Sequence, residues 1–157
     1  MSRRIVCLAS ALFLLLGANG MLAPSASSSD ADWTTFVRHC WTFSHDGWRW
    51  RACTSVRGRV ANEHVTIRGR CRVKMLNFEP NFIRMNCALV NQGIHTISYA
   101  QTRRSGVTAV VVKTPLRQCR ASRMYYASSD FSFHYPDGSI GSYGVSTDWV
   151  IPCPAPT

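Results

Sequence analysis

Several short motifs of metal sites and catalytic sites are missing from this sequence. The histidines show neither His-x-His nor His-Glu-x-x-His spacing, and the cysteines contain no Cys-x-x-Cys pair, so the usual zinc motifs are excluded. Residues 141–144 read Gly-Ser-Tyr-Gly, one residue short of the nucleophile elbow of serine hydrolases. They follow the hairpin signal Pro136-Asp137-Gly138 instead of preceding a helix. We therefore assign no catalytic residue, no metal ligand and no cofactor.

Lysine and acidic residues are also scarce. Of the 18 basic residues only Lys74 and Lys113 are lysines, and 8 acidic residues leave a formal net charge of +10. Arginine excess is typical of GC-rich genomes, but nearly every cation is thereby a planar guanidinium suited to bidentate contacts with phosphate, sulfate or carboxylate. The charge balance favours acidic partners.

Long apolar runs are limited to residues 5–16, which is shorter than the ~20 residues needed to span a bilayer. Arg3 and Arg4 precede this run and small residues follow it, a pattern typical of a secretory signal peptide. We predict a signal peptide over residues 1–26, a flexible leader over 27–32 and a single domain over 33–157. The domain is expected to be secreted, extracellular and without a transmembrane anchor, and to carry a net charge of +8 once Arg3 and Arg4 are removed.

Six cysteines remain after that cleavage, an even number that predicts three disulfides in an exported chain. The predicted pairs are Cys40–Cys53, Cys71–Cys87 and Cys119–Cys153. The first follows from a hairpin register, the second from equal distances to the bend at Glu79, and the third from elimination.

Residues 48–60 alternate apolar and polar residues, the period of a half-buried strand. The dipeptide Asp46-Gly47 before them is a two-residue hairpin signal, which sets Cys40 opposite Cys53. This register also gathers aromatic side chains on one face, and we interpret them as core in preference to an exposed platform for sugars or bases. They are Trp41, Phe43, Trp48 and Trp50.

The rest of the chain also has the pattern of short strands separated by turns. Strands are predicted near residues 65–73, 82–90, 94–100 and 107–112, the last buried on both faces, and then at 131–135 and in a return strand to 150. Residues 103–106 are predicted as a basic turn, and 116–126 as a short helix or an irregular crossing. The predicted fold is an all-β antiparallel sandwich or small barrel of seven or eight strands.

One face of the second and third strands carries a dense row of cations. A turn at Glu63 and His64 would set Arg57 opposite Arg70 and Arg59 opposite Arg68, and directly opposed like charges are destabilising. The face is either solvated or an anion-binding site whose binding would weaken with salt. The candidate anion-binding residues are Arg49, Arg51, Arg57, Arg59, Arg68, Arg70, Arg72 and Lys74.

The favoured function is a non-catalytic exported protein that binds an acidic polymer or a cell-envelope surface through this face. One alternative is a ribonuclease-like hydrolase, in which Glu63 and His64 beside the arginines perform general acid-base chemistry. Another is an inhibitor or toxin-like protein that binds a protein partner through residues 101–106. The oligomeric state stays open. The export signal, three disulfides and arginine excess are similar to those of small exported proteins of GC-rich bacteria, which assigns no site.

Overall fold

Two antiparallel β-sheets face each other in the computed structural model, which describes residues 33–61 and 64–153. The predicted signal peptide and leader lie outside the described residues. The strands are β1 Thr34–His45, β2 Trp48–Ala61, β3 His64–Met75, β4 Phe82–Asn91, β5 His95–Ser105, β6 Ala109–Lys113, β7 Arg117–Gln118, β8 Tyr125–His134 and β9 Ile140–Ser146. The prediction of an all-β sandwich with three disulfides is confirmed.

The first sheet has the order β1-β2-β3-β6, and β7 also pairs with β3. The second sheet has the order β5-β4-β8-β9. The hairpins are β1–β2, β2–β3, β4–β5 and β8–β9, and the chain crosses between the sheets after β3, after β5 and after β7. This arrangement leaves β1 and β6 at the edges of the first sheet.

The β1–β2 hairpin has the predicted register. Asp46 and Gly47 both have positive φ, 48° and 83°, as a type I′ turn requires, and Cys40 pairs with Cys53. Asn77 holds this turn from the connection after β3: its Oδ1 accepts a hydrogen bond from the Arg49 N–H at 2.7 Å, and its Nδ2 donates to the Gly47 carbonyl at 2.8 Å. A local turn signal and one long-range amide therefore fix the hairpin.

The core between the sheets is rich in aromatic rings. Trp50 is fully buried and its ring meets the edge of Phe133, with the centroids 5.2 Å apart. Phe43 and Trp48 pack partly buried against this core, while Trp41 at the edge strand is 36% exposed. The core interpretation of the aromatic cluster is confirmed for Trp50, and Trp41 is its exposed margin. Two of the three predicted disulfides lie away from this core, whereas Cys71–Cys87 joins the two sheets through it.

The predicted register between β2 and β3 was wrong by two residues. Arg57 pairs with Arg68, not with Arg70, and Arg59 pairs with Thr66. The pair of Ala61 with His64 shows that the strands reverse one residue earlier than predicted. Because side chains alternate with a period of two, this shift leaves every predicted residue on its predicted face.

Two further predictions on the later strands were wrong. Residues 103–105 are not a turn, because β5 continues to Ser105 in register with β4. The strand β6 is buried on one face only: Val110 and Val112 are core, but Val111 is 42% exposed at the sheet edge. Residues 116–126 form the irregular crossing, interrupted by the two-residue β7.

Candidate anion-binding face

The outer face of the first sheet carries the candidate cations. Alternate residues of β2 and β3 point away from the core, and all eight predicted cations belong to this set. The strand pairing adds two cations that the sequence analysis missed. Arg38 of β1 pairs with Ser55 of β2, and Lys113 of β6 pairs with Arg70 of β3. We call these residues the basic face: Arg38, Arg49, Arg51, Arg57, Arg59, Arg68, Arg70, Arg72, Lys74 and Lys113.

One end of the basic face is covered by Trp33. The Trp33 side chain is only 6% exposed, and the guanidinium carbon of Arg68 lies 3.6 Å from its ring centroid. Arg59 approaches the same ring at 5.4 Å, and Arg57 Nη2 donates a hydrogen bond to the Trp33 carbonyl at 3.1 Å. Cation–π contacts of this kind offset the repulsion between opposed arginines. These three cations therefore hold the segment before β1 in place.

The other end of the basic face is open. Arg38, Arg51, Arg72 and Lys74 are exposed and line a depression of about 250 Å³ whose floor includes Cys53. No carboxylate of the described residues forms an ion pair with any of these four side chains. A smaller depression of about 50 Å³ adjoins it, lined in part by Ser55, Arg57 and Arg70. We call the four cations around the larger depression the open cluster.

The described carboxylates all lie off the basic face. They occur in turns, in connections or on the second sheet, and none belongs to β1, β2, β3 or β6. Two of these carboxylates form ion pairs with histidines, His39–Asp148 at 3.0 Å and His45–Asp46 at 3.4 Å, and neither pair includes a residue of the open cluster. The cations of the open cluster therefore face solvent without a described counter-charge.

The structure gives less support to the hydrolase and inhibitor hypotheses. Glu63 lies outside the described residues, and His64 is exposed at the start of β3, so the hydrolase hypothesis stays a prediction. The proposed binding loop at residues 101–106 is mostly strand β5, which corrects that part of the inhibitor hypothesis.

Among residues 33–61 and 64–153, no cluster of three His, Cys, Asp or Glu side chains could hold a metal ion. That same part of the chain has no helix long and apolar enough to span a membrane.

No protein-family model matches the chain, and no curated protein matches its sequence. The function is therefore argued from the basic face itself.

Proposed function

We propose that this is an exported, non-catalytic protein that binds an acidic polymer through its basic face. The observation that supports the proposal is the segregation of charge: ten of the described cations line one sheet face, while the described carboxylates lie elsewhere. Export is supported by the signal-like N-terminus and by three disulfides, which are typical of oxidising compartments.

The dimensions of the face favour a polymer over a single small anion. Residues on one side of a strand repeat every two positions, about 7 Å, so the cations from Arg68 to Lys74 on β3 extend over roughly 20 Å. A second row on β2 runs beside it, about 5 Å away. Several charges of a linear polyanion can therefore be in contact at once, which raises affinity through multivalency.

The contacts that this face offers are to charges and not to bases. Proteins that bind single-stranded nucleic acids combine a basic groove with exposed aromatic rings on which bases stack. Trp33 contacts the basic face, but it is buried beneath Arg59 and Arg68 and presents no free ring. Phosphate, sulfate or carboxylate groups along the polymer are thus the recognised feature, and guanidinium groups bind such oxyanions in bidentate geometry.

The test is retention of the oxidised mature protein on an immobilised sulfated polysaccharide, with single-stranded DNA and acidic lipid vesicles as comparison surfaces. The open-cluster variant replaces Arg38, Arg51, Arg72 and Lys74 with glutamine. The matched control replaces four exposed arginines off the basic face with glutamine, so both variants lose the same net charge. These arginines are Arg84, Arg104, Arg120 and Arg123. We expect the open-cluster variant to lose most retention and the control to keep it.

Salt dependence gives the number of contacts. If each cation displaces about one counterion, losing four should reduce the slope of log K against log salt by about 3. Equal losses of retention in both variants would mean that net charge alone governs binding, and would refute the basic face as a site. Retention on the acidic vesicles alone would indicate that the ligand is a cell-envelope surface and not an acidic polymer.

A further inference from the structure

The disulfide Cys40–Cys53 lies on the basic face, whereas the other two lie elsewhere. Cys53 is 8% exposed and forms part of the floor of both depressions, and Cys40 is partly exposed beside it. By contrast, Cys71 and Cys87 are fully buried in the core. Cys119 is partly exposed like Cys40, but the hydrogen bond from a guanidinium group to a disulfide sulfur in the described residues is the one from Arg38 to Cys53. Cys71–Cys87 thus differs from the other two bonds in access, and Cys40–Cys53 differs from Cys119–Cys153 in its contact with Arg38.

Three arginines lie around Cys53 on the basic face. Arg38 Nη2 donates to Cys53 Sγ at 3.7 Å, Arg72 is its cross-strand partner on β3, and Arg51 is on the same face two residues away. Nearby guanidinium groups lower the pKa of a cysteine thiol, and a sulfur with a lower pKa is a better leaving group in thiol–disulfide exchange. The basic face also attracts a negatively charged thiol from solution.

We propose that Cys40–Cys53 is an exchangeable disulfide that reacts with small anionic thiols. The thiolate of the small thiol attacks Cys40 Sγ, a mixed disulfide forms there, and the Cys40–Cys53 bond breaks. Its electron pair leaves on Cys53 Sγ, beside Arg38. A second small thiolate then attacks the small-thiol sulfur of the mixed disulfide, which releases the oxidised small disulfide and leaves Cys40 as a thiolate. Two electrons pass from two small thiols to the protein.

The fold tolerates this reaction because other contacts hold the hairpin together. The strands β1 and β2 pair along almost their whole length, and Phe43 stacks on Trp50 with the ring centroids 5.6 Å apart. Reduction therefore places up to two negative charges on the floor of the open cluster without separating the strands. The exchange chemistry itself is independent of the proposed polyanion function.

The experiment measures the reduction rate of each disulfide separately. The oxidised mature protein is incubated with reduced glutathione, quenched with acid, alkylated and mapped by peptide mass spectrometry. We expect Cys40–Cys53 to be reduced at least about ten times faster than Cys119–Cys153, and Cys71–Cys87 to be the slowest. With the uncharged thiol 2-mercaptoethanol, the preference for Cys40–Cys53 should shrink, because electrostatic attraction is lost.

Variants separate the guanidinium effect from simple exposure. Arg38→Gln should slow the reduction of Cys40–Cys53 several-fold, Arg38→Lys should restore part of the rate, and Arg84→Gln on the second sheet should change none of the three rates. The rate of Cys71–Cys87 reports the integrity of the fold in each variant. Equal rates for Cys40–Cys53 and Cys119–Cys153 in the unaltered protein would overturn the proposal, and so would an Arg38→Gln variant that reacts as fast as its parent.

Discussion

Arg57 and Arg72 are both cations of the basic face, yet their surroundings give them different roles. Arg57 is 7% exposed and bonds to the Trp33 carbonyl, whereas Arg72 is exposed beside Cys53. Removing Arg57 would leave a buried carbonyl without its donor, a loss of stability. Arg72 is exposed, so its removal should cost little stability. Variants that test binding should therefore come from the open cluster.

Tyr135 provides a residue-level test of the core. Burial, and then its hydrogen bond with Tyr143 at an O–O distance of 2.6 Å, raise the pKa of Tyr135 well above its ordinary value. A group whose pKa is raised in the folded state contributes stability below its unfolded pKa, about 10, and loses that contribution as the pH rises toward its folded pKa. We therefore expect the free energy of unfolding to fall above about pH 10.

Urea denaturation at pH 8 and pH 11 checks this expectation. Tyr135→Phe should lower stability at pH 8 by about 1 kcal/mol, the typical value of one hydrogen bond, and should weaken the loss at pH 11. Tyr99→Phe, which changes an exposed tyrosine, is the control and should keep the parent's pH dependence. An unchanged pH dependence in the Tyr135 variant would contradict the assignment of the stability loss at high pH to Tyr135.

The alternation of residues along the strands predicted most cations of the basic face. It did not predict that one end of the face is covered by Trp33 and the other is open. Alternation along β2 and β3 found eight of its cations but missed Arg38, which the pairing of β1 with β2 places on the same face. The contact of Trp33 with Arg68 could not be predicted, because it depends on where the segment before β1 lies in three dimensions. Periodicity reports which face a side chain is on and nothing about what covers that face.

At the level of elements, Gly58 of β2 lies close beneath the Phe36 side chain of β1. A bulge in β1 between Thr35 and Val37 brings Phe36 over this glycine. A Cβ added at Gly58 would lie 2.5 Å from Phe36 Cε2 and 3.0 Å from the Thr66 carbonyl oxygen of β3. Glycine is therefore needed here for close packing of three strands, and not for a special backbone angle.

Gly58→Ala should accordingly destabilise the protein by about 1–3 kcal/mol, the range for overpacking a filled site. The measurement is the urea midpoint at neutral pH. Gly144→Ala is the matched control, since its Cβ would meet the flexible Asp130 carboxylate at 3.1 Å and should cost less. Equal stability of the Gly58 variant and the parent would show that the β1 bulge moves aside freely.

Element boundaries were predictable where a turn has a distinctive signal. Asp46-Gly47 and Pro136-Asp137-Gly138 marked their hairpins correctly, and Asp137 accepts hydrogen bonds from Ser139 that close the second one. The β2–β3 turn contains neither glycine nor proline, so its position was misjudged. Residues 103–105 are polar because they end an edge strand, and this polarity was mistaken for a turn.

At the level of the whole molecule, the three disulfides have different structural roles. Cys40–Cys53 joins neighbouring strands, Cys119–Cys153 joins two irregular segments, and Cys71–Cys87 joins the two sheets across the core. The last bond is the covalent connection between the sheets inside the apolar core. Its removal therefore eliminates a cross-link and creates a cavity at once.

The paired variant Cys71→Ala with Cys87→Ala should lower the free energy of unfolding by about 3–5 kcal/mol, through the lost cross-link and the cavity. The paired variant Cys40→Ala with Cys53→Ala is the comparison and should lose about 2 kcal/mol, because its strands stay paired. Urea denaturation of both oxidised proteins provides the values. A larger loss in the second variant would mean that the hairpin bond, and not the core bond, dominates stability.

The strand order of the first sheet also has a kinetic consequence. The strands β1, β2 and β3 are consecutive neighbours, so their pairings are local, and Cys40–Cys53 is separated by only 13 residues. The pairings β3–β6 and β4–β8 join distant parts of the chain, and loop closure makes such contacts slow to form. We therefore expect the three-stranded meander to form early in oxidative refolding, and the closing of the sandwich to limit the rate at which the native protein appears.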